Sequence, residues 1–429
     1  MTLSLPLRGA TFNVRNFGAK GDGTTFDTAA IQQALDSCTN GGDTVVFPAG
    51  TYLCQPMRLH SQTTVQLDAG ALLEASTNYA DFMRKRGNWL KSTNSAQFRP
   101  LIGGTNLTDI TFTGTGIIDG NGQVWWGEAE KARQIRPGYT LPRPTLIALD
   151  HCQRIRLENI TLRNSPKFHF VPADCDDVVV TNVTILAPEH AANTDAMDPS
   201  GRRLLITHCT LDVGDDNVAI KAGKKRKDGV VETGDIVIEY CTVLHGHGIS
   251  IGSETDGGVS NMIVRNCTFA DTENGLRIKS DIKRGGLVQN IRYENLTMTN
   301  VNPAILLTCV YQGVSSNDTG KPEKKDDPAD GKVSDDQNSS EKLPRIPMYR
   351  DIFFSNITAS CPKAAGVING LPDSCVSNVV LENVNITAAK GFQIDHARGV
   401  QFKKSSVSGQ TGPAWAGSDA EVTGLSAPE

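Results

Sequence analysis

The chain of 429 residues has no run of about 18 apolar residues, so nothing in it reads as a membrane-spanning helix. It also has no excess of basic residues. With 42 Lys and Arg against 47 Asp and Glu, and a formal charge of -5, it lacks the clustered cations that nucleic acid demands as a partner. Met1–Arg8 has neither the charged start nor the apolar core of an export signal, so a cytosolic protein or a mature form is expected. Cysteine is dilute, ten in the whole chain, too sparse for the disulfide framework of a small secreted domain. Three of the ten, Cys209, Cys241 and Cys267, fall at one repeat position and are expected as buried thiols stacked in a core. What is present is ordinary: 38% hydrophobic and 21% charged residues suit a large buried core, and 41 glycines suit a turn-rich β protein.

A short phrase returns along the chain: apolar, any, Asn or aromatic or His, apolar, Thr, apolar. It reads Leu157–Leu162, Val180–Ile185, Ile206–Leu211, Ile238–Val243, Val264–Phe269 and Tyr293–Met298, with later copies at Phe354–Thr358 and Leu381–Asn385. The third positions are Asn159, Asn182, His208, Tyr240, Asn266, Asn295, Asn356 and Asn383, separated by 23, 26, 32, 26, 29, 61 and 27 residues. Alternating polarity marks a strand, and units of this length without room for a long helix point to a solenoid of parallel strands. The gap of 61 is either two coils or one coil with an insertion. Because equivalent residues stack in columns, the five N-x-T sequons at Asn159, Asn182, Asn266, Asn295 and Asn356 are read as a ladder rather than as glycosylation sites.

The expected architecture is therefore all-β, one right-handed parallel β-helix over residues 1–429. An N-terminal cap covers about 12–45. In it, Ile31, Ala34, Leu35 and Cys38 have helical spacing behind Asp27 as N-cap, within a helix over 29–38. Val45–Tyr52 reads as the first strand and turn. Residues 315–342 contain no aromatic and only Val333 as a large aliphatic, and are expected as a solvated or disordered loop.

Polar constellations interrupt the repeat on consecutive coils between about 150 and 311. They are Asn193–Asp198, Gly214–Asn217, Gly246–Gly248 and Arg277–Lys279. Asp215 follows Thr210, and His247 follows Thr242, at one common offset. Alignment on the following apolar runs instead puts Asp216 opposite His247, with Asp195 one coil further. Each site alone has a bland reading: an Asp-Asp pair is usually a turn, a His between glycines is usually structural, and Arg with Lys is usually a solvated face. On successive coils, three carboxylates, an imidazole and two cations converge on one face within about 15 Å. Glycoside hydrolysis needs such a set: one protonated carboxyl for the leaving oxygen and one ionised carboxyl to activate water.

These segments resemble the four signature segments of the polygalacturonases, glycoside hydrolase family twenty-eight. Asn164–Phe170, Gly214–Lys221, Gly246–Glu254 and Asn274–Ser280 look especially like the bacterial members, and Phe12–Ala49 resembles their cap. The resemblance implies an inverting hydrolase of α-1,4-linked galacturonic acid, with Asp215 as general acid, Asp195 and Asp216 holding and activating water, and His247 tuning the acid. It further implies that Asn193, Arg277, Lys279 and Tyr311 contact substrate, Arg277 taking a carboxylate with its planar fork. No metal and no cofactor are implied; the partner is pectic polysaccharide, and a secreted or periplasmic monomer is expected. Endo cleavage is expected over exo release of mono- or digalacturonate. A pectate lyase holding calcium on the carboxylates and a non-catalytic glycan-binding β-helix are the rival readings.

Overall fold

The computed structural model describes residues 9–84, 98–135, 141–223, 233–282, 284–311 and 346–425, so the expected loop 315–342 lies outside the described residues. The chain is a right-handed parallel β-helix in fold class. The described residues fall into two compact units, divided between Met197 and Asp198.

In the first unit, Thr11–Asn13, Asp43–Phe47, Thr63–Leu67, Thr108–Gly114, Gln153–Glu158 and Asp176–Thr181 pair in turn, all parallel. A further column runs through Gly50–Cys54, Ala71–Ala75, Ile117–Asp119, Thr161–Arg163 and Thr184–Leu186. A third runs through Met57–Arg58, Ile102–Thr105, Ile147–Asp150 and Phe170–Ala173. The second unit repeats the scheme, with Arg202–Thr207, Thr233–Glu239, Val259–Arg265 and Leu287–Thr299 in register. Like stands on like: Val264 pairs with Tyr293, Tyr293 with Phe354 and Phe354 with Leu381. The rings of Tyr293 and Phe354 stack at 4.9 Å. The gap of 61 is thus one coil carrying an insertion, since Tyr293 and Phe354 are direct neighbours.

The recurring phrase is not one straight strand, as its alternation suggests. Its third residue, from Asn159 to Asn383 and including His208 and Tyr240, sits at φ between 52° and 62°, so the phrase turns a corner there. Asparagine tolerates this left-handed conformation better than other side chains, which explains its recurrence. The carboxamides also bond up the column: Asn182 Nδ2 donates to Asn159 Oδ1 at 2.8 Å, Asn295 to Asn266 at 3.1 Å and Asn356 to Asn295 at 3.0 Å. Where asparagine is missing, His208 and Tyr240 stack at 5.0 Å instead. The residue after each corner points inward, and Ile160, Val183, Cys209, Cys241 and Cys267 are all buried, the cysteines as free thiols.

The capping helix forms over Thr28–Asp36 and buries Ile31, Ala34 and Leu35. Ile31 and Leu35 meet Phe47, Leu67 and Ile118 around a small apolar cavity, closing the open end of the solenoid. Asp27 precedes the helix but does not cap it with its side chain. Its carboxylate accepts from the backbone of Lys20 at 2.6 Å and Gly21 at 2.8 Å, stronger claims than one helical N–H. Val45–Tyr52 is likewise not the first strand: Thr11–Asn13 precedes it and pairs with it, too short to stand out by alternation.

The corner column gives a stability prediction. Asn295→Ala should lower the melting temperature more than Asn295→Gly, by a difference worth about 1 kcal/mol, because both lose the carboxamide but only alanine resists φ near 55°. Thermal unfolding of both variants checks this; a glycine variant less stable than the alanine one would contradict it.

Candidate active site

The floor of the site is made by four short strands of the second unit. Val218–Ile220 pairs with Ile249–Gly252, which pairs with Leu276–Lys279, which pairs with Ile305–Thr308. Val218, Ile220, Ile249, Ile251, Leu276 and Ile278 point into the core, so the residues between them face the other way. Both alignments are present, Thr210 opposite Thr242 and Val218 opposite Ile249, so the bend with Asp215 and Asp216 holds one residue more than the bend with His247 and both carboxylates flank the imidazole. Asp215 and Asp216 precede the strand in a bend, where strand alternation does not hold, and both can therefore join one cluster.

Asp216 is the centre of charge. It is 2% exposed, accepts from Ser250 Oγ at 3.0 Å and from Lys279 Nζ at 2.8 Å, and forms an ion pair with Arg277. Arg277 Nε also donates to Ser250 Oγ at 2.9 Å, which locks the guanidinium in place. Burial alone would protonate Asp216, but Arg277 and Lys279 outweigh it and hold the carboxyl well below the usual range. Lys279 Nζ also lies 5.2 Å from the Tyr311 ring centroid. Tyr311 is fixed by its backbone N–H to Ser280 O at 2.9 Å. The two cations expected to grip substrate thus rest on Asp216 in this state.

His247 lies between carboxylates. Nδ1 is 3.1 Å from Asp215 Oδ1 and 3.9 Å from Asp216 Oδ1, while Nε2 is 2.7 Å from Glu273 Oε2. Burial disfavours the imidazolium, yet the bonds to Asp215 and Glu273 prevail and push His247 up to about 9. Asp215 is pulled the other way: burial would raise it, and His247 lowers it more. The proton shared by this pair therefore sits on the imidazole. The flanking glycines permit the close approach. Gly248 has φ 74°, and a Cβ there would lie 2.1 Å from Asn274 O. Asn217, fully buried, ties the turns together through Gly248 N at 2.9 Å and the carbonyls of Leu211 and Leu244 at 3.1 Å each.

Asn193 and Asp195 lie at the end of the first unit. Asn193 Oδ1 accepts from Arg143 Nη2 at 2.7 Å, and the buried Arg143 also donates to Pro166 O and Ala192 O. Asp195 is 4% exposed, and its carbonyl accepts from His169 N at 2.9 Å and from His169 Nδ1 at 3.0 Å. Burial pushes His169 down to about 4, so it is a neutral strut whose Nε2 accepts from Ser165 N at 3.2 Å.

A solenoid carrying acids, an imidazole and cations on successive rungs defines a class, the carbohydrate-active β-helix enzymes. Residues 38–335 match the family described as glycosyl hydrolases family 28. An endo-polygalacturonase of Pectobacterium carotovorum subsp. carotovorum is 34% identical over 388 residues, spanning 87% of this chain and 87% of that protein. A solved polygalacturonase from Erwinia carotovora ssp. carotovora superimposes with TM-score 0.71 at 30% identity, covering 99% of each chain. A family 28 exopolygalacturonase of Yersinia enterocolitica shares the fold with TM-score 0.78 at 23% identity, over 98% of this chain and 80% of that one. The chain belongs to glycosyl hydrolases family 28.

Glu273, Ser250, Arg143 and His169 were not singled out from sequence. Glu273 carried a faint signal: it stands immediately before Asn274–Ser280, one coil beyond His247. Removing its charge should lower the His247 pKa from about 9 towards its ordinary 6.5. In Glu273→Gln, the alkaline limb of the kcat/KM profile should therefore move to lower pH. The same pairing also stabilises the fold, fully below pH 6.5 and with loss as pH rises through about 9. Rates across pH 5–10 check the shift, and an unmoved limb would remove Glu273 from the charge relay.

Proposed function

We propose that this chain is a polygalacturonase that hydrolyses α-1,4-D-galacturonosidic linkages in polygalacturonate, with inversion and by internal cleavage. The observation that carries the reading is the division of labour in one cluster. Asp216 is kept ionised by two cations, while Asp215 shares a proton with a charged His247 at 3.1 Å.

In the mechanism, His247 returns the shared proton to Asp215, which passes it to the leaving glycosidic oxygen, and the proton given up by the attacking water restores the pair by way of solvent. The anionic substrate assists, because negative charge brought to the cluster raises the Asp215 pKa at the moment a proton is needed. Asp216 holds and activates the water that attacks from the other side of the sugar, the role the family resemblance also gives to Asp195. Arg277, Lys279 and Tyr311 take the substrate carboxylate at the cleavage point, and Asn193 orients the neighbouring sugar. Asp215, Asp216 and His247 present ligand atoms within 4.8 Å of one another, but one of the three is an imidazole, whereas the calcium of a lyase is held by oxygen ligands. A dication there would face Arg277, Lys279 and a protonated His247, so the charge balance favours acid–base hydrolysis. The endo reading is supported by the endo-polygalacturonase of Pectobacterium carotovorum, aligned over 87% of the chain. A polymeric substrate supports a location outside the cytoplasm, and we read the protein as a secreted or periplasmic monomer. No helix among the described residues is long and apolar enough to cross a membrane.

Incubation with polygalacturonic acid and EDTA should yield reducing ends without the absorbance of unsaturated products; a calcium requirement with unsaturated ends would establish elimination instead. Viscosity should fall early relative to reducing ends released, whereas monomer or dimer release at constant viscosity would show exo action. Asp215→Asn should cost about 10²–10⁴-fold in kcat, since the amide keeps the shape without donating the proton. Retention of a tenth of the rate would move the acid elsewhere.

A further inference from the structure

The outward column that carries Arg277 has a second polar member. Ala219 is level with Ser250, and Ser250 with Arg277. Ser250 is fully buried, and its hydroxyl has two partners of opposite kind. Oγ lies 3.0 Å from Asp216 Oδ1 and 2.9 Å from Arg277 Nε. An ionised carboxylate only accepts and a guanidinium only donates, so the hydroxyl donates to Asp216 and accepts from Arg277.

The two oxygens of Asp216 are thereby unlike. Oδ1 holds Ser250 and Arg277 Nη2 and is faced by His247 Nδ1 at 3.9 Å. Oδ2, among the described residues, meets Lys279 Nζ alone, at 2.8 Å. The torsion that turns a carboxylate is soft, so which oxygen points where depends on what holds it. Arg277 and Lys279 are the groups that turn to the substrate carboxylate, and neither can fix Asp216 throughout the reaction. Ser250, a short side chain on the strand Ile249–Gly252, stays in place. Arg277 can remain on Ser250 while it binds substrate, because among the described residues Nε and Nη2 commit two of its five N–H groups.

We propose that Ser250 is a positioning residue for the base, and that Asp216 acts through Oδ2. The proposal rests on the reading of the chain as a polygalacturonase with Asp216 as base. With Oδ1 pinned, the turn of Lys279 towards the substrate opens Oδ2 to the attacking water. One O–H bond of the water breaks and its proton goes to Oδ2, while its oxygen bonds to the anomeric carbon. The bond from that carbon to the leaving oxygen breaks, its electron pair stays on the leaving oxygen, and the proton of Asp215 joins it there.

The test is turnover of polygalacturonic acid by Ser250→Ala and Ser250→Cys, each alone and combined with Asp216→Asn. Ser250→Ala should lower kcat about 10–100-fold, the scale of one hydrogen bond to a charged group, with KM changed by no more than roughly threefold. Ser250→Cys, whose thiol is a weak donor, should lose less. In Asp216→Asn there is no base left to aim, so adding Ser250→Ala should cost little more than Asp216→Asn alone. A merely structural role would cost the same factor in both backgrounds. Additive losses would make Ser250 a strut of the floor, and a rise in KM with kcat kept would make it a support for the grip of Arg277; either overturns the proposal. Ser250→Cys carries the same comparison if Ser250→Ala does not fold. The wild-type protein separates the two claims: release of no reducing ends would overturn the hydrolase reading itself, whereas release with additive losses overturns only the role of Ser250.

Discussion

Residue-by-residue hydrogen bonding between successive coils is the constraint from which the rest follows. Once Leu157 pairs with Val180 and Val264 with Tyr293, every other position is committed to a column. Columns that face inward must be apolar, because a buried polar group without a partner costs free energy. Columns at corners must tolerate φ near 55°, and asparagine does so while bonding to its own kind above and below. Columns on the outward face of the floor can carry buried polar groups because each finds a partner there: Ser250, Arg277 and Lys279 all meet Asp216.

The same stacking sets the electrostatics. Rungs about 4.8 Å apart bring charges from residues far apart in sequence into hydrogen-bond range, and Asn217 holds the turns that carry Asp215, Asp216 and His247. Two adjacent carboxylates are both held below the usual range, but by different partners. Asp216 is fully compensated by Arg277 and Lys279, whereas Asp215 faces an imidazolium that Glu273 supports from behind. Pairs of acids whose surroundings differ in this way are what acid–base hydrolysis requires.

Much of this was legible in the sequence, for a physical reason. A solenoid writes its three-dimensional neighbours into a one-dimensional period, so the clustering of Asp215 and Asp216 with His247 could be read from Thr210 and Thr242 and from the apolar runs that follow. The corner at Asn159 was not legible, because apolar alternation continues across it and only the backbone dihedral reveals the turn. Thr11–Asn13 was missed because three residues cannot show a period. Arg143 and His169 were missed for a different reason: they act by holding backbone carbonyls, those of Ala192 and Asp195, and such a role leaves no pattern of residue types. Asp27 looked like a helix cap because its position is right, and only its bonds to Lys20 and Gly21 show otherwise.

The coil that contains Asn295 returns at Asn356 after 61 residues, whereas the previous coil took 29, yet Leu287 still pairs with Met348 and Met298 with Ala359. Strand pairing therefore resumes without slippage across a connection of altered length. The cost of closing a longer connection grows only slowly with its length. In such a fold, descent can lengthen or shorten whatever borders the substrate path while the catalytic rungs keep their spacing, so the reach of the enzyme along its polymer and the chemistry it performs are inherited as separate traits.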